Sequence, residues 1–247
     1  MAQDRILTTH VGSLPRPQEV VDQLFAEDAG TLTDHATYAR VMREAVATVV
    51  KRQVDVGVDV VSDGEMSKIS YATYIRHRLT GFELGEMPRA VPRDLDDFPD
   101  YKERLAKLGA TPKYHRPICC APIAVRTLEP LKVDLANLAA AVQAAGVGRA
   151  FMNAASPGVV AVFQPNRHYP TQEAYIGALA AAMQTEYEAI IAAGFDLQID
   201  ALNHALANID PARVRMHICW GNYDGPDRKS TRLNSSHVVT SRMPSSA

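Results

Sequence analysis

The sequence predicts an α/β fold, a (β/α)8 TIM barrel that is incomplete, with about six of its eight strand–helix units. Three observations carry this. Short β-branched runs alternate with longer stretches of helical spacing, which implies a parallel sheet with right-handed crossovers. Chemistry-bearing side chains fall repeatedly at the C-terminal ends of those runs: His10, Glu65, Asp200, His217 and Cys219. A barrel gathers such residues from several strands at one mouth. Finally, the chain changes character after residue 227, and only six strands precede that point. A doubly wound sheet is the competing arrangement, but no Gly-x-Gly-x-x-Gly loop follows the first strand.

The elements follow in order. Arg5–Thr9 reads as the first strand, and His10-Val11-Gly12-Ser13-Leu14-Pro15-Arg16-Pro17 as a loop whose glycine lets backbone approach a ligand. From about Asp34 to Val56, Tyr38, Val41, Met42, Ala45 and Val49 recur at helical spacing, with Thr33 or Asp34 as cap and Gly57 as stop. Val58–Ser62 is the second strand, and Asp63-Gly64-Glu65 places two carboxylates at its C-terminal end. Residues 70–113 are charged and contain prolines, so they read as an insertion whose Arg and Asp side chains form a solvated face. Pro117–Ile123 is the third strand, with Cys119 and Cys120 on opposite faces and therefore unable to chelate one ion.

Leu135, Leu138, Ala139 and Val142 mark a helix that Gly146 ends. Ala150–Ala154 is the fourth strand, running into Ala155-Ser156-Pro157-Gly158. Thr171 starts a long helix with apolar Tyr175, Leu179, Met183, Ile190 and Ile191, closed by Gly194. Phe195–Asp200 is the fifth strand, and the sixth runs through Arg213-Val214-Arg215-Met216 into His217-Ile218-Cys219. Imidazole and thiolate are both zinc donors, and on a strand residues two apart share a face. Residues 228–247 are serine-rich and cationic without a useful period. They resemble translated sequencing-adaptor read-through, so the domain reading is a partial barrel over 1–227 and a non-native tail over 228–247.

The 247 residues are 47% hydrophobic and 22% charged, with net charge −2. That suits one large globular domain and gives no electrostatic reason to expect nucleic acid or an anionic membrane as partner. No apolar run approaches the roughly 20 residues of a bilayer span. Three cysteines, two adjacent, do not make a disulfide framework, and a reduced, cytoplasmic setting is expected.

Four blocks together resemble the cobalamin-independent methionine synthase family. They are Thr8–Pro17, Asp63-Gly64-Glu65, Leu197-Gln198-Ile199-Asp200 and His217–Tyr223. The likeness is nearest to its single-barrel branch, which includes epoxyalkane:coenzyme M transferase-like proteins. The resemblance implies a zinc-dependent barrel that transfers a methyl group from a methyl-folate donor to a thiol such as homocysteine. It implies His217 and Cys219 as zinc ligands, and Gly12 and Ser13 as the loop that meets the thiol substrate. Glu65 and Asp200 would be the two acids that hold its amino group. The family's remaining metal ligands, a Cys and often a Glu, and its proton-donating His come from later strands, and no residue after Pro226 matches them. At Asp200-Ala201-Leu202-Asn203 the chain departs from the acidic or Cys-then-Pro pattern of relatives. Three other readings are alkyl transfer to another thiol, a metal-free lyase like uroporphyrinogen decarboxylase, and an inactive fragment.

Overall fold

Every strand of the main sheet except the last runs in the same direction, and the helices pack against one of its faces. The structure, a computed structural model, describes residues 6–70, 72–85, 99–100, 103, 116–199, 213–218 and 238–241, with backbone alone at 116, 215–218 and 238–241. Its strands are β1 (Val61–Ser62), β2 (Phe82–Gly85), β3 (Arg116–Cys119), β4 (Ala150–Ala154), β5 (Asp196–Ile199), β6 (Val214–Ile218) and β7 (Val238–Ser241). The helices are α1 (Gln18–Asp28), α2 (His35–Asp55), α3 (Glu129–Ala145), α4 (Pro157–Phe163) and α5 (Gln172–Ala192).

The five-stranded sheet has the order β1-β4-β5-β6-β7. Pairing is parallel from β1 to β6. A parallel bridge from Thr9 to Val60 sets the first segment beside β1. The expected α/β class and parallel sheet are therefore present. The third strand is not where the sequence reading put it. Arg116–Cys119 pairs antiparallel with β2 in a separate two-stranded ribbon, and β1 pairs directly with β4. A short apolar run declares that it is a strand but not which strand it pairs with. A second difference lies in the stretch that lacked a strand period. Val238–Ser241 forms β7, antiparallel to β6. An open strand edge accepts any extended segment, and Val238, Val239 and Thr240 are β-branched.

The helix readings follow from caps and stripes. The Asp34 carboxylate accepts the Thr37 N–H at 2.9 Å, and α2 buries Val41, Met42, Ala45, Val46, Val49 and Val50. Thr171 accepts the Ala174 N–H at 3.1 Å and starts α5, whose Tyr175, Leu179, Met183 and Ile190 are buried. Helix α3 ends at Gly146 in the left-handed region. Leu135 and Leu138 are buried and Val142 packs against the core, whereas Ala139 faces solvent and Ala141 is buried in its stead. Helix α4 is an element that the sequence pattern does not mark. Ser156 accepts the Val159 N–H at 3.2 Å and Pro157 occupies the first turn, the usual opening of a helix.

Register separates the two faces of the sheet. Val61, Ala150, Met152, Leu197 and Val214 share the face that packs on the helices. Ser62 and Phe151, and one step further Asn153 and Gln198, share the other, inner face.

Candidate functional site

The site is built where β1 ends. Strand β1 passes into Asp63-Gly64-Glu65, a turn held by its own side chains. The Ser62 hydroxyl accepts the Gly64 N–H at 3.2 Å, and the Asp63 carboxylate accepts the Glu65 N–H at 3.0 Å. Gly64 has φ +61° and Glu65 φ +56°. For a residue with a Cβ this left-handed backbone costs on the order of 1 kcal/mol or more. The cost turns the Glu65 side chain to the inner face, where one carboxylate oxygen accepts the Ser13 hydroxyl and the other accepts the Asn153 amide N–H at 2.7 Å. Glu65 is 4% exposed.

The first loop is tied to that turn. The Leu14 N–H donates to the Gly64 carbonyl at 3.0 Å, and Arg16 donates to the main-chain oxygens of Glu65 and Lys68, each at 2.7 Å. Burial pulls the Arg16 guanidinium below its ordinary value, against the opposing pull of Glu65 and Asp63. Gly12 has φ +83° with open space where a Cβ would stand. The sequence-derived trio Gly12, Ser13 and Glu65 thus falls within one loop-and-turn unit. Asn153 was missed, although its place at the C-terminal end of a strand, two residues after inner-facing Phe151, was the available signal.

Behind the turn, between sheet and helices, lies a buried charge network. Lys68 reaches Asp63 at 3.2 Å with both side chains at most 2% exposed, and its ammonium also lies 3.4 Å from the Met152 sulfur. Burial alone would push the Lys68 ammonium down, but Asp63, Asp134 and Glu65 outweigh it and hold it above the ordinary lysine value. Arg78 pairs with Asp134 at 2.5 Å and Glu186 at 2.8 Å, while its guanidinium lies 4.6 Å from the centre of the Tyr74 ring. Tyr74 in turn donates its hydroxyl to Glu186 at 2.8 Å. The expectation of a solvated charged face after residue 70 is thus corrected at Arg78, which is 3% exposed. A buried guanidinium persists there because two carboxylates from α3 and α5 and an aromatic face surround it.

Of the other sequence candidates, the backbone of His217 lies in β6, whereas Asp200 and Cys219 lie outside the described residues. Among the described residues no group of three or more His, Cys, Asp or Glu could hold a metal ion, and no helix is long and apolar enough to cross a membrane. Cys119 is buried in the core and Cys120 half-exposed, in keeping with their opposite faces.

Residues 6–89, which contain the first loop and the Glu65 turn, match the family described as "Cobalamin-independent synthase, Catalytic domain". Over those residues the chain is similar to that family. It is 24% identical to the methionine synthase of Saccharolobus solfataricus, an alignment covering 87% of this chain and 63% of that protein. With the methionine synthase of Sulfurisphaera tokodaii the identity is 23%, over 94% of this chain and 66% of the other. The chain therefore spans somewhat under two thirds of the length of these curated relatives. Among solved structures it is similar to a B12-independent methionine synthase from Shewanella sp. W3-18-1, in complex with selenomethionine. That match has TM-score 0.66 at 19% identity, covering 87% of this chain and 61% of the other. A putative vitamin-B12 independent methionine synthase from Listeria monocytogenes aligns with TM-score 0.59 at 21% identity, over 89% and 68%. These likenesses concern the fold.

Proposed function

We propose that the protein contributes to methionine synthase-type methyl transfer, moving a methyl group from a methyl-folate donor to a thiol such as homocysteine. The observation that carries this is Glu65. It is a buried carboxylate on the inner face, held by two neutral donors, Ser13 and Asn153, with no cation in direct contact among the described residues. A buried carboxylate attracts a positive partner strongly, because little water screens it. The ammonium of an amino-acid thiol is such a partner, and this favours homocysteine over a thiol without an amine. The relatives' name points the same way.

In this reading the Glu65 carboxylate receives the ammonium, and Ser13 and Asn153 fix the carboxylate so that it needs no reorganisation. Asp200 supplies the second acid. Arg16 locks the first loop onto the turn, so that Gly12 can lie close to the substrate without a side chain between them. His217 and Cys219 are the proposed zinc ligands. Strand β6 is extended through His217 and Ile218. Donors two apart on such a segment fit zinc in kind and spacing, though not in number, since zinc takes three or four ligands. When bound, zinc supplies a deprotonated, nucleophilic thiol. The sulfur forms its bond to the methyl carbon as the carbon–nitrogen bond of the donor breaks, and the departing nitrogen takes up one proton from solvent, balancing the one the thiol has released. We further propose that residues 1–227 carry the family's fold, that residues 228–247 are a non-native tail, and that the setting is cytoplasmic.

The test is to incubate the zinc-loaded protein with homocysteine and 5-methyltetrahydrofolate and to measure methionine by mass spectrometry. Wild type should form methionine, and Glu65→Gln should lower the rate about ten- to a hundredfold, the worth of a charge-assisted hydrogen bond. Equal rates for the two would contradict the role given to Glu65. No methionine from wild type would contradict the reaction.

A further inference from the structure

Two amide oxygens on the inner face of the sheet, one of them on the Glu65 partner Asn153, have no partner among the described residues. Asn153 Oδ1 and Gln198 Oε1 are both buried and unpaired among the described residues. A buried acceptor left unmade costs about 1–3 kcal/mol, so each such atom calls for an explanation. They are not scattered. Asn153 and Gln198 are register partners on adjacent parallel strands β4 and β5, which puts them side by side on the inner face. Their backbones there are separated by about 4.8 Å.

The orientation of the Asn153 amide is settled by chemistry. Its neighbour at 2.7 Å is a Glu65 oxygen, and an ionised carboxylate only accepts, so the amide nitrogen must face Glu65. The Asn153 oxygen is thereby left free as an acceptor. Gln198 is 4% exposed, so bulk water does not satisfy its oxygen. The result is a row of one carboxylate and two amide oxygens, with no donor of the described residues assigned to the amides.

We propose that Asn153 and Gln198 are ligand-binding residues that complete an ammonium cage with Glu65. A primary ammonium carries three N–H donors, and the amide oxygens Asn153 Oδ1 and Gln198 Oε1 add acceptors to the carboxylates of Glu65 and Asp200 proposed above. The carboxylate supplies the charge and the two amides supply direction, which selects a primary ammonium over a quaternary or uncharged group. This inference rests on the reading that an amino-acid thiol occupies the site and assigns to it two residues that the sequence blocks did not mark. Asn153 also positions Glu65 through its nitrogen, while Gln198 acts through its unpaired oxygen.

The experiment is calorimetric titration of the full chain with L-homocysteine and with 4-mercaptobutanoate, the same thiol acid without the amine. Wild type should bind homocysteine more tightly than the desamino thiol. Gln198→Met keeps the side-chain length and removes the acceptor. It should weaken homocysteine about tenfold while leaving 4-mercaptobutanoate unchanged. Asn153→Leu should weaken homocysteine further because it also releases Glu65. Gln198→Glu, which keeps an oxygen at that place, should retain homocysteine binding, and a cooperative melt of each variant excludes loss of fold. If wild type prefers homocysteine but Gln198→Met binds both ligands as wild type does, the cage is overturned and the Glu65 reading stands. If wild type binds the two thiols equally, or neither, both are overturned.

Discussion

Replacing Lys68 by Met removes the only cation in hydrogen-bond contact with Asp63 among the described residues. The pair is 3.2 Å apart, with side chains 2% and 1% exposed, so neither charge has water to fall back on. Breaking a buried pair from one side typically costs about 3–5 kcal/mol, because the remaining charge is buried alone. At a urea dependence near 3 kcal/mol/M for a domain of this size, the unfolding midpoint should drop by roughly 1–1.7 M. The loss should be largely recovered by Asp63→Asn in the same chain. That change removes the stranded charge and keeps an oxygen to accept the Glu65 N–H, now made by Asp63 at 3.0 Å. pH gives an independent check. The Lys68 ammonium is held above the ordinary lysine value of 10.5, so its stabilisation is fully present below that pH and is lost as pH rises through the higher folded value. The gap between wild type and Lys68→Met should therefore close only in strong alkali. A loss under 1 kcal/mol, or a double variant whose cost is the sum of the single ones, would refute the network as the support of the Glu65 turn.

Other outcomes follow from the same geometry. Gly64→Ala should cost about 1–2 kcal/mol in denaturant titration, since φ is +61° and a Cβ would stand 3.2 Å from Leu14 and Met66 side-chain carbons. Glu65→Gly should relieve left-handed strain yet abolish the preference for an amine-bearing thiol, separating stability from binding in paired melts and titrations. Burial, with help from Arg76, lowers His77 to about 4, so it folds uncharged. Its stabilisation is present above 6.5 and is lost as pH falls toward 4. The loss is roughly 1–2 kcal/mol once partial exposure is discounted, and His77→Gln should flatten that part of the acid-stability curve. Zinc content measured by mass spectrometry after dialysis should fall in both His217→Ala and Cys219→Ser, and retention in either would remove that residue from the metal site.

Several elements were legible because local chemistry names them. Asp34 and Thr171 announce helix starts, and the 3.6-residue stripe of α2 was read position by position. Glu65 was legible because an acid after a β-branched run sits at a strand end. Other features depend on partners far along the chain. Nothing local in Pro117–Ile123 says that Arg116–Cys119 pairs back onto Phe82–Gly85 and not into the parallel sheet. Arg78 looks like any surface arginine until α3 and α5 bring Asp134 and Glu186 to it. Asn153 gains meaning only when β4 aligns it beside Gln198 and across from Glu65. Helix α4 is a different case. Ser156-Pro157 is a legible helix opening, but the helix has only 7 residues, too few to show a repeating apolar stripe.

The most direct test of the central claim is a crystal structure of the protein soaked with L-homocysteine. The account predicts the amino nitrogen within hydrogen-bond distance of the Glu65 carboxylate on the inner face of the sheet. A homocysteine bound with its amine turned to solvent, and Glu65 still contacting only Ser13 and Asn153, would contradict it.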